Sequence, residues 1–294
     1  MLDLHRLRLL TELSQRGTIG AVAEALSYAP SSISAQLTKL EQEAKTPLLE
    51  HVGRGLRLTP AAETLVLRAE TLLDEMERAE SELAQASGTI TGTIKLAMFQ
   101  SAALALLPGT LRRVAQNHPQ LRVEMTQTEP EIALRETWQR DFDLVVAENY
   151  PQHSTQHLPG LIHSPLTRDR LRLATWHGSE VTSLAQAAEL PWVMEPAPAA
   201  SRHWALQQCR LAGFEPDIRY ESADLQAHVQ LVEAKLAVSI LPSVLGGYRR
   251  PKVKWVGLPR NPHREIFTAL RDSMSTHPGV LAVRSALESE AGTY

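Results

Sequence analysis

Residues 18–41, TIGAVAEALSYAPSSISAQLTKLE, set a small polar surface on apolar spacing of helical period. Ser31, Ser32 and Ser34 offer hydroxyls, Gln36 an amide and Lys39 an ammonium group. Short side chains let a helix come close to base edges in a major groove. A glutamine can bond an adenine edge, and a lysine suits a phosphate. The chemistry on offer is contact with DNA rather than catalysis.

Such a surface needs a scaffold. Thr18 can cap a first helix, because its hydroxyl can accept an otherwise unpaired N–H of the first turn. Ala21, Val22, Ala25 and Leu26 follow at helical spacing, and Ser27-Tyr28-Ala29 breaks the run. Pro30 fits the first turn of a second helix, where its missing N–H costs little. Ile33, Leu37 and Leu40 then face inward and leave the polar residues outside. Residues 1–15 read as an amphipathic helix with Leu4, Leu7 and Leu9 or Leu10 inward, ended by Arg16-Gly17. In residues 46–59, Gly53 and Gly55 flank Arg54, and Leu56, Arg57 and Leu58 alternate. That predicts a two-stranded wing whose arginines reach phosphates or a minor groove.

Thr59-Pro60 starts another helix, Thr as cap and Pro in the first turn. Its apolar residues are Ala62, Leu65, Ala69, Leu72, Met76, Ala79, Leu83 and Ala86, at steps of three and four. An unbroken seam of that period argues for a helix paired with a second copy of itself. Ser87-Gly88-Thr89 ends it, and the texture changes to strands alternating with helices. Strands are predicted at 93–99, 121–127, 142–148, 170–176, 191–196, 217–222, 237–241, 253–258 and 265–271. Helices fall at 102–117, 131–140, 202–213 and 224–235, with a last one from Pro278. This is an α/β pattern with largely parallel sheets.

The 294 residues allow two or more domains, and 43% hydrophobic content is ordinary for a globular chain. A net charge of −3 gives no global sign of nucleic-acid binding, so charge placement must carry it, at Lys39, Arg54 and Arg57. No apolar run approaches the ~20 residues of a membrane span, and MLDLHRLRLL is no secretory signal, so a cytoplasmic protein without a membrane partner is expected. The single cysteine, Cys209, cannot form an intrachain disulfide or act with a resolving thiol. The eleven histidines read as scattered, without metal-ligand spacing, and no cofactor is expected. There is no G-x-S-x-G, P-loop or G-x-G-x-x-G, so an enzyme is not expected. A solute-binding protein would not need the helical front.

Taken together, LDLHRLRLL, GTIGAVAEAL, SSISAQLTKLE and PLLEHVGRGLRLTPA, with FDLVVA at 142–147 and VEAKLAVSILP at 232–242, resemble the LysR-type family of bacterial transcriptional regulators. The resemblance implies a winged helix-turn-helix over 1–59, a dimerising linker helix over 60–87 and a two-lobed effector domain over 88–294, like periplasmic binding proteins. Lobe I would be 88–162 and 268–294, lobe II 163–267. It further implies a homodimer assembling to a homotetramer on double-stranded promoter DNA, controlled by a small molecule between the lobes. DNA contacts carried over are Pro30, Ser31, Ser34, Ala35, Lys39, Arg54 and Arg57, with Ser32 and Gln36 beside them. Effector contacts are Gln100, Ser101, Glu148, Ser201, Arg202 and Ser222. Ser101 at a helix start suits a carboxylate, Arg202 an acid and Glu148 an amine, so an amino-acid-like or carboxylate effector is expected. The chain departs from the family pattern at Ala29-Pro30, Ala35, Leu49-Glu50-His51, Glu129-Pro130, Lys235 and Ala237.

Overall fold

The computed structural model describes residues 1–53, 55–153, 157–248 and 251–292, in two compact units, Met1–Gly88 and Thr89–Tyr294. The first unit holds helices α1 (Leu4–Arg16), α2 (Ile19–Leu26) and α3 (Pro30–Ala44), strands β1 (Leu49–Val52) and β2 (Gly55–Leu58), and helix α4 (Pro60–Ala86). Its caps follow from residue chemistry. The Asp3 and Thr18 side chains accept the amides of Arg6 and Ala21, and Gly17 ends α1 at φ 81°. Between α2 and α3 the left-handed position falls to Ser27, φ 57°, where glycine would be unstrained. Leu7, Leu9, Leu10 and Leu13 of α1 pack with Val22, Ala23, Ile33, Leu37 and Leu40. Ala23, not Ala25, completes the inner face of α2; Ala25 is exposed.

The wing is pinned at its base. Glu41 Oε1 accepts the amides of Leu48 and Leu49 at 2.8 and 3.0 Å. Thr59 caps α4 by accepting Ala62 N at 3.2 Å and donates to Pro47 O at 2.9 Å. The seam of α4 is divided. Ala62 and Ala69, with Val66, belong to the head's own core, whereas Leu72, Met76 and Leu83 stand exposed at 51%, 44% and 72%. A straight helix drifts against a seven-residue repeat, so one apolar stripe serves two partners along its length.

The second unit continues with β3 (Gly92–Met98), α5 (Gln100–Asn117), β4 (Leu121–Gln127), α6 (Pro130–Trp138), β5 (Leu144–Asn149) and β6 (Leu161–Trp176). Then come β7 (Pro191–Met194), α7 (Ala200–Leu211), β8 (Asp217–Glu221), α8 (Leu225–Glu233), β9 (Ser239–Pro242), α9 (Leu245–Tyr248), β10 (Val253–Gly257), β11 (His263–Arg271) and α10 (Pro278–Ala291). One sheet runs β10-β6-β11-β5-β3-β4, with β9 also on β6, and β7-β8 form a second. Pairing is parallel for β3 with β4 and β5 and for β7 with β8, but antiparallel for β6, β9, β10 and β11. The parallel expectation thus holds only for these pairs.

Strand β6 begins nine residues before its predicted start. Pro165 lacks a ladder donor, which disfavours a strand there. The ladder accommodates it with a register shift opposite Ile266 and Phe267. Up to Arg170, β6 pairs with β11; from Leu171 it pairs with β9, and from Arg172 with β10 as well. Two apolar clusters flank this exchange. One gathers Leu96, Met98, Leu106, Val146 and Leu287; the other gathers Leu173, Trp192, Trp204, Cys209 and Val238.

Candidate nucleic-acid interface and effector cleft

Helix α3 exposes Pro30, Ser31, Ser32, Ser34, Ala35 and Lys39, while Ile33, Leu37 and Leu40 anchor it. Gln36 is half-buried, and its Oε1 accepts Arg6 Nε at 3.0 Å. Arg6 also donates to Glu43. Gln36 is therefore held from α1 through its carbonyl, and only its NH₂ can turn to a base. On the wing, Glu50 and Arg57 are direct cross-strand partners, and the guanidinium donates to Glu50 Oε1 at 2.7 and 2.8 Å. Arg54 lies outside the described residues. Arg8 and Arg16 both pair with Glu12. Among the described residues of α3, Lys39 is exposed and makes no ion pair, so this surface is short, polar and weakly charged.

In the second unit the structure gathers some predicted residues and adds others. Ser101, in the first turn of α5, is 1% exposed, and its Oγ accepts Arg264 Nη2 at 2.8 Å. Arg264 on β11 is itself 1% exposed. Its Nε and Nη2 donate to Asp169 Oδ2 at 3.0 and 2.7 Å, and its Nη1 donates to Glu148. The Phe99 ring lies 5.2 Å from the guanidinium carbon. The register places Arg264 beside Asp169 across the β6–β11 ladder. Asp169 Oδ1 accepts Val244 N just before α9, at 3.0 Å. Next to Ser101, Gln100 donates to Asp224 Oδ1 at 2.7 Å and accepts Leu225 N at 2.8 Å, which caps α8 from outside. Both residues at the start of α5 thus reach elements that follow the partner exchange in β6.

Ser201, Arg202 and Ser222 form a second group, beyond β7. Ser201 donates to Glu195, and Arg202 donates to Glu221 and to the Glu195 carbonyl. Ser222 Oγ accepts Asp224 N, and its carbonyl bonds His228 Nε2 at 2.8 Å. Glu195, Ser201, Arg202, His228 and Ser239 line a small cavity of about 20 Å³. On the other side, where His263 and Glu265 of β11 line the wall, lies a wide concavity of about 660 Å³.

Electrostatics sharpen the picture. Burial, the largest influence, pushes the Glu148 carboxyl up against the opposing pull of Arg264. Burial also lifts Glu195 to about 7, opposed by the Ser201 bond and aided by Glu148 and Glu129. Burial raises Glu129 too, with Glu131 adding to it. Against burial, Glu148 and Asp169 hold the Arg264 guanidinium firmly charged, above its ordinary value. Burial lowers His228 and lifts the Cys209 thiol to about 12, so Cys209 carries almost no thiolate at neutral pH.

Three expectations change. Ser101 is not an open anion site, because Arg264 is bonded to it. Arg202 is committed to Glu221. His153 and His157 do stand at a spacing of four, contrary to the reading of scattered histidines, but residues 154–156 lie outside the described residues. Among the described residues no group of His, Cys, Asp or Glu could hold a metal ion, and no helix is long and apolar enough to cross a membrane. Sequence reasoning missed Arg264, Asp169 and Glu195. Arg264 shares a strand face with the buried Ile266, Thr268 and Leu270. Phe267 and Ala269 on the other face are buried as well, so no alternation betrayed it.

The chain matches two family models. Residues 4–63 match the bacterial regulatory helix-turn-helix protein, lysR family, and residues 87–292 match the LysR substrate binding domain. It is 26% identical over 250 residues to the transcriptional dual regulator GltC of Bacillus subtilis (strain 168), covering 82% of this chain and 81% of that one. Its fold is like that of a full-length OxyR variant from Pseudomonas aeruginosa, with TM-score 0.67, 17% identity and 98% and 95% of the two chains covered. Full-length CbnR complexed with its target DNA gives TM-score 0.54, 20% identity and coverage of 98% and 100%. With a helix-turn-helix head followed by a substrate-binding α/β unit, this chain belongs to the LysR family of DNA-binding transcriptional regulators.

Proposed function

We propose that the protein binds promoter DNA as a homodimer that assembles further to a homotetramer, and that a small molecule in the cleft at the start of α5 modulates this binding. The observation that carries the reading is the outer face of α3, exposed over Pro30, Ser31, Ser32, Ser34, Ala35 and Lys39 on a rigid inner face. In this reading the serines and the Gln36 NH₂ contact base edges or phosphates, Pro30 and Ala35 pack on thymine methyls, and Lys39, Arg54 and Arg57 hold phosphates. The solved CbnR complex, of like fold, supports the docking mode. The exposed Leu72, Met76 and Leu83 of α4 form the dimer seam. The domain limits are 1–59, 60–87 and 88–294, the last divided into 88–162 with 268–294 and 163–267. The protein works in the cytoplasm.

Gln100, Ser101, Glu148, Ser201, Arg202 and Ser222 border the effector cleft in this reading. An effector that shifts the lobes alters the spacing of the DNA-binding heads in proportion to its preference for one arrangement. Footprinting of the full chain on the DNA upstream of its own and adjacent genes tests the core of this. A protected site with two half-sites is expected; no specific protection at any salt concentration overturns it. Metabolites that change the footprint should lose that effect in Gln100→Ala or Glu148→Gln. Unchanged responses in both variants would put the ligand elsewhere.

A further inference from the structure

The first turn of α5 is where an acidic ligand would be anchored, by an 18-residue helix with a serine near its start. The chain fills that niche itself. Of the five N–H groups of Arg264, one at Nε, one at Nη1 and two at Nη2 are aimed at Asp169, Glu148 and Ser101. A guanidinium so engaged has little left for a carboxylate. Its two acid partners outweigh its charge. Glu195, which lines the adjacent cavity, bonds a neutral hydroxyl, while Arg202 turns its Nη1 to Glu221 and to a carbonyl.

We propose that Arg264 sets the charge selectivity of the effector cleft: it occupies the Ser101 niche with the protein's own cation, refuses an acidic effector there, and leaves Glu195 to receive the ammonium or guanidinium group of a basic one. This rests on the cleft being the effector site. An entering carboxylate would meet Glu148 and Glu195 with only Arg202, already paired with Glu221, as a further cation, and like charges in a water-poor site are strongly unfavourable. A basic ligand reverses the sign. The groups around Glu195 are Ser201 and Arg202 of α7, His228 of α8, Glu148 of β5, Tyr150 just after β5, Glu129 before α6 and Arg264 of β11. Burial keeps Glu195 half-protonated near pH 7, so an arriving cation displaces its proton. Binding should therefore release a proton and tighten as pH rises from about 6 to about 8.

The test uses the full chain with 1,4-diaminobutane and ethylguanidinium as basic probes and glutarate as the acidic one. Thermal melts should rise by roughly 3–5 °C at tenfold the Kd of a basic probe and stay unchanged with glutarate. Glu195→Gln, which breaks no ion pair, should remove the shift. Calorimetry in buffers of different ionisation enthalpy should show proton release. Arg264→Met, if it folds, should bind ethylguanidinium more tightly than the natural chain. Glutarate stabilisation that Ser101→Ala abolishes overturns the charge assignment while leaving the cleft in place. Basic probes that fail, or that act equally on Glu195→Gln, overturn it too. The cleft reading fails separately, if footprint-active metabolites of every charge act unchanged on Gln100→Ala and Glu148→Gln.

Discussion

The DNA-reading head and the effector unit hold their functional side chains in opposite states. On α3 the serines and Lys39 are exposed above a core of Ile33, Leu37 and Leu40, so reading surface and stability are separable. At the start of α5 the corresponding groups are buried and bonded to one another, from Ser101 through Arg264 to Glu148 and Asp169. There the contacts that hold the fold are also those of the proposed effector site. Changes in the head should therefore alter binding without cost to the fold, and changes in the cleft should cost both.

The largest effect is expected at Arg264. Arg264→Met leaves Glu148 and Asp169 buried without their cation and should cost about 3–5 kcal/mol of unfolding free energy. Chemical denaturation measures it, with Ser34→Ala, expected within about 0.5 kcal/mol of the natural chain, as the contrast. Equal losses would erase the distinction between the two regions. Next comes the α4 seam. Leu72→Glu combined with Met76→Glu should raise the dimer dissociation constant at least ~100-fold in sedimentation, given about 1.5–3 kcal/mol for each buried apolar side chain. A dimer of unchanged strength would move self-association to another surface.

Smaller effects probe the head. Lys39→Ala should weaken binding to all DNA sequences alike and reduce the slope of log affinity against log salt by about 0.9. A change in sequence preference alone would make Lys39 a base reader. The smallest effect is expected from Glu50→Gln, which frees Arg57 from its cross-strand partner. An exposed pair is worth about 0.2–1 kcal/mol, so DNA affinity should rise by roughly 1.5- to 5-fold, less at high salt. No change, read by titration at two salt concentrations, would place Arg57 away from the backbone.

The head was legible because its signals are local. Thr18 and Thr59 cap helices whose amides lie three residues on, and Pro30 and Pro60 suit first turns. The apolar residues of α3 repeat within one helix. The pairing of Arg57 with Glu50 and the hold of Arg6 on Gln36 were not read, because each joins different elements. In the effector unit, strands with continuous apolar runs, such as 144–147, were found, whereas the first half of β6 was not. Its Pro165 is tolerated through a register shift that belongs to the pair of strands rather than to either one.

The sequence by itself determined the helices of the head, the wing, the long helix α4 and the family, since each depends on neighbours within a few turns. Only the tertiary structure decided what the start of α5 holds. Ser101 and Arg264 are 163 residues apart in the chain, and Arg264 and Asp169 are 95. No periodicity reaches across such distances. A strand buried on both faces gives a charged residue no pattern by which to stand out, so its partners emerge only when the ladder sets β11 beside β6.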